Sequence, residues 1–337
     1  MLRVAVDAMG GDSAPQAEIE GVVQALATLP ATFQVQLVGK PDVIEAELAK
    51  HPGVDRSRLQ VVAASEVIGM AEKPLAAVRK KPDSSIVVGL TLQKQGASDA
   101  FISAGNTGAV LAASTVILGL HDGVERASVA SLFPTADHSV LVLDAGANVD
   151  CSPRELVNFA YLGTVYVRDI LGRPSPRVGL LNVGEEEEKG NAVTKEAYQL
   201  LKRAPGINFH GNVEGRDILA GHDQRGDIDV LVCDGFAGNV ILKFYESVAR
   251  LIVRLVKRKA PEVLERNDIR EVFTFLDYSE YGGAPLLGVK GVAIICHGAS
   301  SGNAIKNAIR VAVQSVEANL SQHIGAEFAQ RQTALPA

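Results

Sequence analysis

Small and polar residues that could bind an anion recur where the predicted strands end. The dipeptide Gly-Asn occurs five times, at residues 105–106, 190–191, 211–212, 238–239 and 302–303, whereas composition alone predicts roughly one. Glycine lets the backbone approach a ligand closely, and asparagine offers a donor and an acceptor without charge. Each pair alone is an ordinary turn signal. Five together favour a polar site large enough for phosphate.

One loop combines these residues with the start of a helix. Ser103, Asn106, Thr107 and Gly108 follow an apolar strand and precede an apolar helical stretch. The first N–H groups of a helix have no partner within it, and the helix dipole favours an anion there. We therefore predict that these four residues bind phosphate.

Two further loops carry the same signal. Asn182 and Gly184 come shortly before Lys189, a mobile cation beside a helix start that suits phosphate as a point charge. The other loop runs from Cys233 to Asn239. Three acids, Asp7, Asp144 and Asp234, end predicted strands, where they could cap helices or orient donors.

The sequence also contains one motif of serine hydrolases. Gly298-Ala-Ser300-Ser-Gly302 fits the G-x-S-x-G pattern and follows an apolar strand. An α/β-hydrolase needs an acid and then a histidine after its serine, and only Glu317 and His323, within a terminal helical region, follow in that order. We therefore assign Ser300 to anion binding and not to nucleophilic attack.

Other common binding patterns are missing from the sequence. No two glycines are separated by a single residue, which excludes the G-x-G-x-x-G dinucleotide fingerprint. The one Gly-Lys pair lacks the upstream glycine of a P-loop. The seven histidines form no metal-binding pattern, and the three cysteines are widely spaced. We expect no cofactor, metal centre or disulfide scaffold.

Composition narrows the class further. The 337 residues carry a net charge of −6, with 47% hydrophobic and 21% charged residues, as in an ordinary globular protein. This net charge argues against nucleic acid as the main partner, because phosphate backbones attract a basic surface. The short apolar run after Met1 predicts a strand and not a signal peptide. We expect a cytoplasmic protein without a transmembrane segment.

Strand and helix patterns alternate along the chain. Strands are predicted at 2–6, 34–38, 59–63, 99–103, 139–143, 177–182, 207–212, 230–233 and 291–296, and helices at 15–29, 41–50, 84–95, 106–119, 153–171, 191–203, 237–259, 262–276 and 302–320. Strands separated by helices predict a mostly parallel sheet with helices on both faces. We expect a single α/β/α domain over residues 1–337, with its weakest seam near 145–155.

Residues 237–276 form a predicted helical hairpin within this domain. One helical stripe is apolar at Val248, Leu251, Ile252, Leu255 and Val256, and another carries Arg250, Arg254, Lys257 and Arg258. Inserted hairpins of this kind are often subunit interfaces. Packing on the protein's own sheet is the alternative, and the basic stripe also suits an acidic partner or a membrane surface.

The loops together closely resemble the bacterial acyl-acyl-carrier-protein:phosphate acyltransferases, the PlsX family of phospholipid synthesis. The resemblance runs in order along nearly the whole chain, and its segments are 6–12, 102–109, 143–148, 181–184, 189–191, 211–217, 234–239, 281–288, 297–298 and 304–308. The resemblance implies that inorganic phosphate attacks the thioester of a long-chain acyl group on acyl carrier protein, giving acyl phosphate for phospholipid synthesis.

The resemblance implies a fold and partners as well. The fold expected is that of phosphotransacetylases and, more distantly, isocitrate dehydrogenases. The family acts as a homodimer at the inner face of the cell membrane, with the hairpin as interface and membrane-facing element. A membrane glycerol-3-phosphate acyltransferase would consume the product.

The implied chemistry assigns three catalytic residues. Phosphate is itself a nucleophile, and a thiolate leaves readily, so no covalent enzyme intermediate is needed. We expect Lys189 to neutralise phosphate, Asn239 to orient phosphate or donate to the oxyanion, and His297 to protonate the thiolate. The acidic carrier protein requires a local basic patch, for which Arg79, Lys80 and Lys81 compete with the stripe Arg250, Arg254, Lys257 and Arg258.

Three other interpretations remain open from the sequence. A phosphotransacetylase would perform the same chemistry on acyl-CoA, so donor preference separates the two. An isocitrate-dehydrogenase-like enzyme would need a nucleotide site and metal carboxylates that the sequence does not offer. A non-catalytic scaffold that recruits carrier protein would have no need of a phosphate pocket.

Overall fold

The structure is a computed structural model that describes residues 1–135, 137–276, 280 and 282–334. The strands are β1 (Leu2–Asp7), β2 (Phe33–Gly39), β3 (Leu59–Ala63), β4 (Ala100–Ser103), β5 (Ser128–Val129), β6 (Ser131–Pro134), β7 (Ser139–Leu143), β8 (Arg177–Asn182), β9 (Asn208–Glu214), β10 (His222–Asp223), β11 (Gly226–Asp227), β12 (Val230–Val232), β13 (Ala284–Leu287) and β14 (Ala293–Ile295). The helices are α1 (Gln16–Thr28), α2 (Pro41–Leu48), α3 (Pro74–Lys80), α4 (Ser85–Lys94), α5 (Thr107–Ile117), α6 (Pro153–Ile170), α7 (Ala192–Arg203), α8 (Gly235–Lys259), α9 (Asn267–Leu276), α10 (Gly302–Glu317) and α11 (Leu320–Ala334).

All strands expected from the sequence are present, with small shifts at their ends. The helix expected at 262–276 is wrong in its first part, because Pro261–Glu265 forms a 3-10 helix and α9 begins only at Asn267. Pattern reading missed the seven-residue α3 and the short strands β6 and β13, which are too brief to show a period. Tyr281, the first residue of one segment of the family resemblance, lies outside the described residues.

The chain divides into two compact units. The first comprises Met1–Ala127 with Gly282–Ala337, and the second comprises Ser128–Tyr281. The boundaries therefore lie at 127/128 and 281/282, and the seam expected at 145–155 falls inside the second unit. That one domain spans residues 1–337 stays a prediction.

The first unit has a mostly parallel sheet covered on both faces. Its strands follow the order β3-β2-β1-β4-β14-β13, and β13 alone among these runs antiparallel to its neighbour. Ile102 belongs to the core cluster with Ile19 of α1 and Ile309 of α10. The ring of its neighbour Phe101 lies so close to Gly89 of α4 that a Cβ there would come within 2.3 Å. Since successive strand residues point to opposite faces, α1 and α10 cover one face and α4 the other.

The second unit repeats this architecture with the order β6-β7-β12-β8-β9, in which only β6 and β7 are antiparallel. Leu143 of β7 lies against Gly163 of α6. Val140 points to the opposite face from Leu143, and Phe133 of β6 lies beside Val140 on that opposite face. The Phe133 ring contacts Tyr245 of α8, with ring centroids 5.7 Å apart. Helices α6 and α8 therefore pack on opposite faces, as the predicted α/β/α arrangement requires.

Candidate functional site

The second unit holds Lys189 in a tightly bonded loop between β8 and α7. Asn182 closes this loop by donating from Nδ2 to the Lys189 carbonyl at 3.1 Å, and its Oδ1 accepts from the Val183 N–H at 2.9 Å. Gly184 leaves room for the Lys189 side chain, because a Cβ there would lie 2.9 Å from Lys189 Cγ. Asn191 then caps α7 through the Thr194 N–H at 2.9 Å. Asn182 and Gly184 thus shape the loop, while the half-exposed Lys189 ammonium faces solvent 3.8 Å from Glu186.

A network behind the same loop includes Asn212, from the Gly-Asn pair at 211–212, and three residues that sequence reasoning missed. Asn212, fully buried in β9, donates from Nδ2 to the Glu186 carbonyl at 2.8 Å. The backbone carbonyl of Asn212 accepts a hydrogen bond from the Arg225 guanidinium at 2.6 Å. Arg225 also pairs with the Asp223 carboxylate, which in turn bonds His210 Nε2 at 2.9 Å. Burial opposes ionisation of Asp223, but the bonds from Arg225 and His210 outweigh it and lower its pKa. Asn212 and Glu186 are 26 positions apart, so only the fold joins this network to the Lys189 loop.

The start of α8 packs directly on the loop that follows β7. Asp144, fully buried, accepts from the N–H groups of Gly146, Ala147 and Asn148 at 2.7–3.1 Å. Burial raises the pKa of Asp144, and these bonds partly oppose the shift. Asp234 caps α8 through the Ala237 N–H at 2.8 Å. Both acids therefore have the capping and orienting roles expected of them.

Asn239 lies in the first turns of α8, over this loop. Its side chain is exposed and packs on Gly146, whose φ of +130° suits glycine. Because β8 and β12 are neighbours in register, the loop that carries Lys189 and the start of α8 that carries Asn239 leave the sheet side by side. The second unit thus places two predicted catalytic residues on segments that follow neighbouring strands, at the sheet edge where open α/β sheets bind ligands.

In the first unit, Ser103 and Asn106 are already committed to partners in the fold. Ser103 donates to the buried Asp7 carboxylate at 2.7 Å and accepts from the Gly105 N–H at 3.0 Å. Asn106 caps α5 through Ala109 and donates to the carbonyls of Gly69, Met70 and Glu72 at 3.1–3.2 Å. To bind phosphate through their side chains, both would have to exchange these bonds. Their role as phosphate ligands stays a prediction.

Thr107 and Gly108, at the start of α5, are more accessible to a ligand than Ser103 and Asn106. Thr107 is exposed at the first position of α5, and a Cβ on Gly108 would lie 2.6 Å from Pro74. The parallel pairing of β4 with β14 places this loop beside the loop of residues 296–302, and the Cys296 N–H donates to the Ser103 carbonyl at 2.8 Å. The first unit therefore joins the Ser103 loop with the loop that carries His297 and Ser300.

His297 is exposed and has a defined ring orientation. Its Nδ1 accepts from the Ala299 N–H at 3.1 Å, so the proton of the neutral ring is on Nε2. The Ser300 N–H bonds the His297 carbonyl at 2.9 Å, and Ser301, not Ser300, caps α10. A neutral imidazole in this form can donate a hydrogen bond through Nε2–H.

The first unit also contains a buried carboxyl group that sequence reasoning missed. Glu18 of α1 is 1% exposed, and its Oε1 would lie 2.3 Å from a Cβ on Gly11. Its Oε2 has no hydrogen-bond partner among the described residues. Burial, together with the nearby Asp7 and Asp12, raises the pKa of Glu18 to about 7. An apolar helix pattern with one glutamate on its buried face was the only available signal.

We expect Glu18→Gln to change how stability depends on pH. Glu18 keeps its proton in the folded chain up to about pH 7, whereas in the unfolded chain it ionises near pH 4.5. The native protein therefore loses stability as pH rises through this window, by roughly 3 kcal/mol if the shift is fully expressed. The glutamine variant lacks this loss, so its stability relative to the parent should rise from pH 4.5 to pH 7. Urea unfolding at both pH values measures the difference, and a pH-independent difference would contradict the assignment.

The cysteines do not offer a reactive thiolate. Burial raises the pKa of Cys151 to about 12, that of Cys296 to about 12 and that of Cys233 well above its usual value. The thiolate is the nucleophilic form of cysteine, and it is negligible in all three at neutral pH. A covalent route through cysteine is therefore disfavoured.

The two candidate basic patches differ in how free their charges are. Lys81 is held by Glu72 and by the Val67 carbonyl, which leaves Arg79 and Lys80 exposed at the end of α3. On α8, Arg250 lies 3.6 Å from Glu246. Arg254, Lys257 and Arg258 are exposed and form no ion pair within the described part of the chain. None of the described helices is long and apolar enough to cross a membrane.

Comparison with known proteins identifies close relatives over almost the full length. The family model described as "Fatty acid synthesis protein" matches residues 2–323. The phosphate acyltransferase of Heliobacterium modesticaldum is 47% identical over 335 residues, covering 96% of this chain and 98% of the relative. The phosphate acyltransferase of Desulforamulus reducens is 48% identical over 328 residues and 95% of each chain.

Solved structures of more distant proteins share the fold. A phosphotransacetylase from Streptococcus pyogenes superposes with a TM-score of 0.61 at 18% identity, and the EutD phosphotransacetylase from Staphylococcus aureus with 0.60 at 16%, each over 94% of both chains. A 4-hydroxythreonine-4-phosphate dehydrogenase from Klebsiella pneumoniae gives 0.55 at 13% identity, over 94% of this chain and 98% of the other. These similarities confirm the predicted fold class.

Proposed function

This chain belongs to the fatty acid synthesis protein family and is a phosphate acyltransferase of lipid synthesis, and from this premise we propose how its residues transfer a long-chain acyl group from acyl carrier protein to inorganic phosphate. The observation that carries the proposal is the Lys189 loop, whose cation stands at the carboxyl end of β8 beside the start of α7. The expected reaction forms a P–O–C(=O) bond, breaks the C–S bond and releases the carrier-protein thiol.

Phosphate is held and aligned by the second unit in this proposal. Lys189 neutralises the dianion, and the first N–H groups of α7 donate to its oxygens. Asn239 offers its amide from the neighbouring strand end, either to phosphate or to the oxyanion that forms on the thioester carbonyl. Asn182 and Asn212 position the Lys189 loop through backbone carbonyls and are not themselves catalytic.

His297 is proposed to supply the proton that the leaving thiolate takes up. The imidazolium form of the ring is the acid that can protonate a thiolate, and forming it replaces the bond from the Ala299 N–H to Nδ1. The proton that phosphate gives up when it attacks restores this form. Thr107, Gly108 and Ser300 are proposed to stabilise anionic oxygens through their loops at helix starts. Ser103 and Asn106 contribute by holding the shape of the first of these loops.

The basic patch on α8 is proposed as the docking surface for the acidic carrier protein. The double reversal Arg254→Glu with Lys257→Glu should weaken binding at least about tenfold at low salt, because it replaces attraction by repulsion at the surface. It should also flatten the salt dependence of binding. Reversal of Arg79 and Lys80 is the matched control. If that control weakens binding while the α8 variant binds normally, the docking surface lies on α3.

We extend the proposal to a homodimer formed through α8. Val240, Phe244, Leu251 and Leu255 fall on one helical face, and all four are about half exposed or more. Apolar side chains aligned in this way along a helix are typical of an interface. The variant Leu251→Asp with Leu255→Asp should elute as a monomer in size-exclusion chromatography with light scattering. A wild-type chain that is itself monomeric at micromolar concentration would contradict the dimer.

The location follows from the product in this proposal. An acyl phosphate with a long chain is amphiphilic and must reach an acyltransferase that acylates glycerol 3-phosphate in the membrane. We therefore propose a cytoplasmic protein that contacts the inner face of the cell membrane peripherally and hands its product to that enzyme. The exposed apolar residues near the end of α8 and on α9, among them Val272 and Phe275, are suited to this contact.

The donor is tested with purified protein and two thioesters. Palmitoyl-acyl-carrier protein and palmitoyl-CoA are incubated separately with phosphate, and acyl phosphate is trapped as the hydroxamate. Phosphate-dependent product from the carrier-protein donor is expected. Product mainly from the CoA donor would favour a phosphotransacetylase, and no product from either would favour a binding scaffold.

A further inference from the structure

The second unit contains a pocket of about 930 Å³ whose lining lies entirely within that unit. It opens at the carboxyl ends of β8 and β12, beside the Lys189 loop, and Asn182 and Gly190 form part of its wall. Its volume is near the upper end of the roughly 300–1,000 Å³ of ligand pockets. A pocket of this size exceeds what inorganic phosphate needs.

The walls of the pocket are mostly apolar, although its mouth faces water. They include Val149, Leu156, Leu180, Leu181, Val183 and Val193. Val183 is 81% exposed and Val149 is 59% exposed, which leaves large apolar side chains in water at the rim. Apolar rims of this kind mark surfaces that a ligand covers.

The polar side chains of the pocket are largely occupied by the fold. The Nδ2 and the Oδ1 of the Asn182 side chain are both hydrogen-bonded. Asn191 bonds Thr194, and Asp234 caps α8. Few side-chain donors or acceptors therefore remain for a ligand rich in amides. The carboxylates Asp150 and Asp234 in the lining also disfavour an anion in the part of the pocket away from the start of α7. An uncharged hydrocarbon chain needs no polar partner and meets neither difficulty.

We propose that this pocket binds the methylene chain of the acyl donor, with the thioester at the Lys189 loop. The assignment rests on the proposed acyl transfer and adds the residues that recognise the chain. It places the chain site at the strand ends of the second unit. Each methylene that leaves contact with such a pocket reduces binding about fourfold.

The test narrows the pocket and varies the length of the acyl chain. Val193→Phe fills part of the pocket from α7, and Val149→Phe does so from the exposed rim, where a larger side chain disturbs folding least. Values of kcat/KM are measured with butyryl- and palmitoyl-acyl-carrier protein, for the variants and the parent. Leu219→Phe, an exposed position of the same unit outside the pocket, is the matched control.

We expect the palmitoyl-to-butyryl ratio of kcat/KM to fall at least about tenfold in both pocket variants and to stay unchanged in the control. Equal losses for both donors would mean that the pocket holds the carrier's prosthetic arm, and unchanged ratios would mean that the chain lies elsewhere; either outcome overturns the proposal. A parent chain that forms no acyl phosphate from any thioester would instead overturn the proposed function.

Discussion

Lys189→Ala should reduce kcat/KM for phosphate about 100-fold or more while leaving the fold intact. The loop keeps its shape without this side chain, because Asn182 and Asn212 hold it through the carbonyls of Lys189 and Glu186. The lost charge is one that neutralises phosphate as it attacks, and removal of a single preorganised donor typically lowers kcat by about 10²–10³. Steady-state kinetics with phosphate varied at saturating palmitoyl-acyl-carrier protein measures the effect.

Two further variants separate this role from a general charge effect. Lys195→Ala removes an exposed cation of α7 and should leave the kinetics unchanged. Glu186→Gln removes the carboxylate 3.8 Å from the Lys189 ammonium and should lower KM for phosphate, because it frees the cation. Near-normal turnover in Lys189→Ala would show that phosphate is bound elsewhere.

Gly238→Val should destabilise the second unit and abolish transfer. A Cβ on Gly238 would lie 1.9 Å from the Asp144 carbonyl oxygen and 3.1 Å from Cys233 Sγ, and Gly235 meets Asn148 similarly. Because the clashing atoms belong to the backbone, they cannot move aside as a flexible side chain can. The start of α8 must therefore shift away from the loop after β7, and Asn239 shifts with it. Overpacking usually lowers the free energy of unfolding by about 1–3 kcal/mol, and we expect a clash with backbone to reach or exceed the upper end of this range. Thermal unfolding and the trapping assay measure both effects.

Gly53→Ala provides the control for this prediction. Nothing lies within 4 Å of a Cβ at Gly53, so its melting temperature should match that of the parent. A Gly238→Val variant that melts like the parent and keeps its activity would refute the close packing of α8 on the loop after β7.

The fold class was predictable because its signals are local and repeated. Apolar strands such as Val140–Leu143 and Val4–Val6 are buried on both faces, and their composition alone predicts a parallel sheet between helix layers. Element ends were less predictable. The end of α8 at Lys259 was predicted correctly, but α9 begins at Asn267 and not at 262, because the intervening 3-10 turn Pro261–Glu265 has no distinctive period.

The candidate site was only partly predictable for a different reason. Residue types and strand ends pointed to Ser103, Asn106 and Lys189, but not to which of their polar groups the fold would use. Ser103 turned out to bond Asp7, 96 positions away, and Asn212 to hold a carbonyl 26 positions away. Bonds of this range depend on strand order, which a single sequence does not specify. The acyl pocket likewise depends on residues from four separate segments.

Direct attack by phosphate is the central claim, and an exchange experiment without phosphate tests it most directly. The protein is incubated with palmitoyl-acyl-carrier protein and isotopically labelled free carrier protein, and label entering the thioester is followed over time. We predict exchange only when phosphate is present, because acyl phosphate is then the sole acyl intermediate and no described cysteine is a ready nucleophile. Exchange in the complete absence of phosphate would reveal an acyl-enzyme and contradict the mechanism.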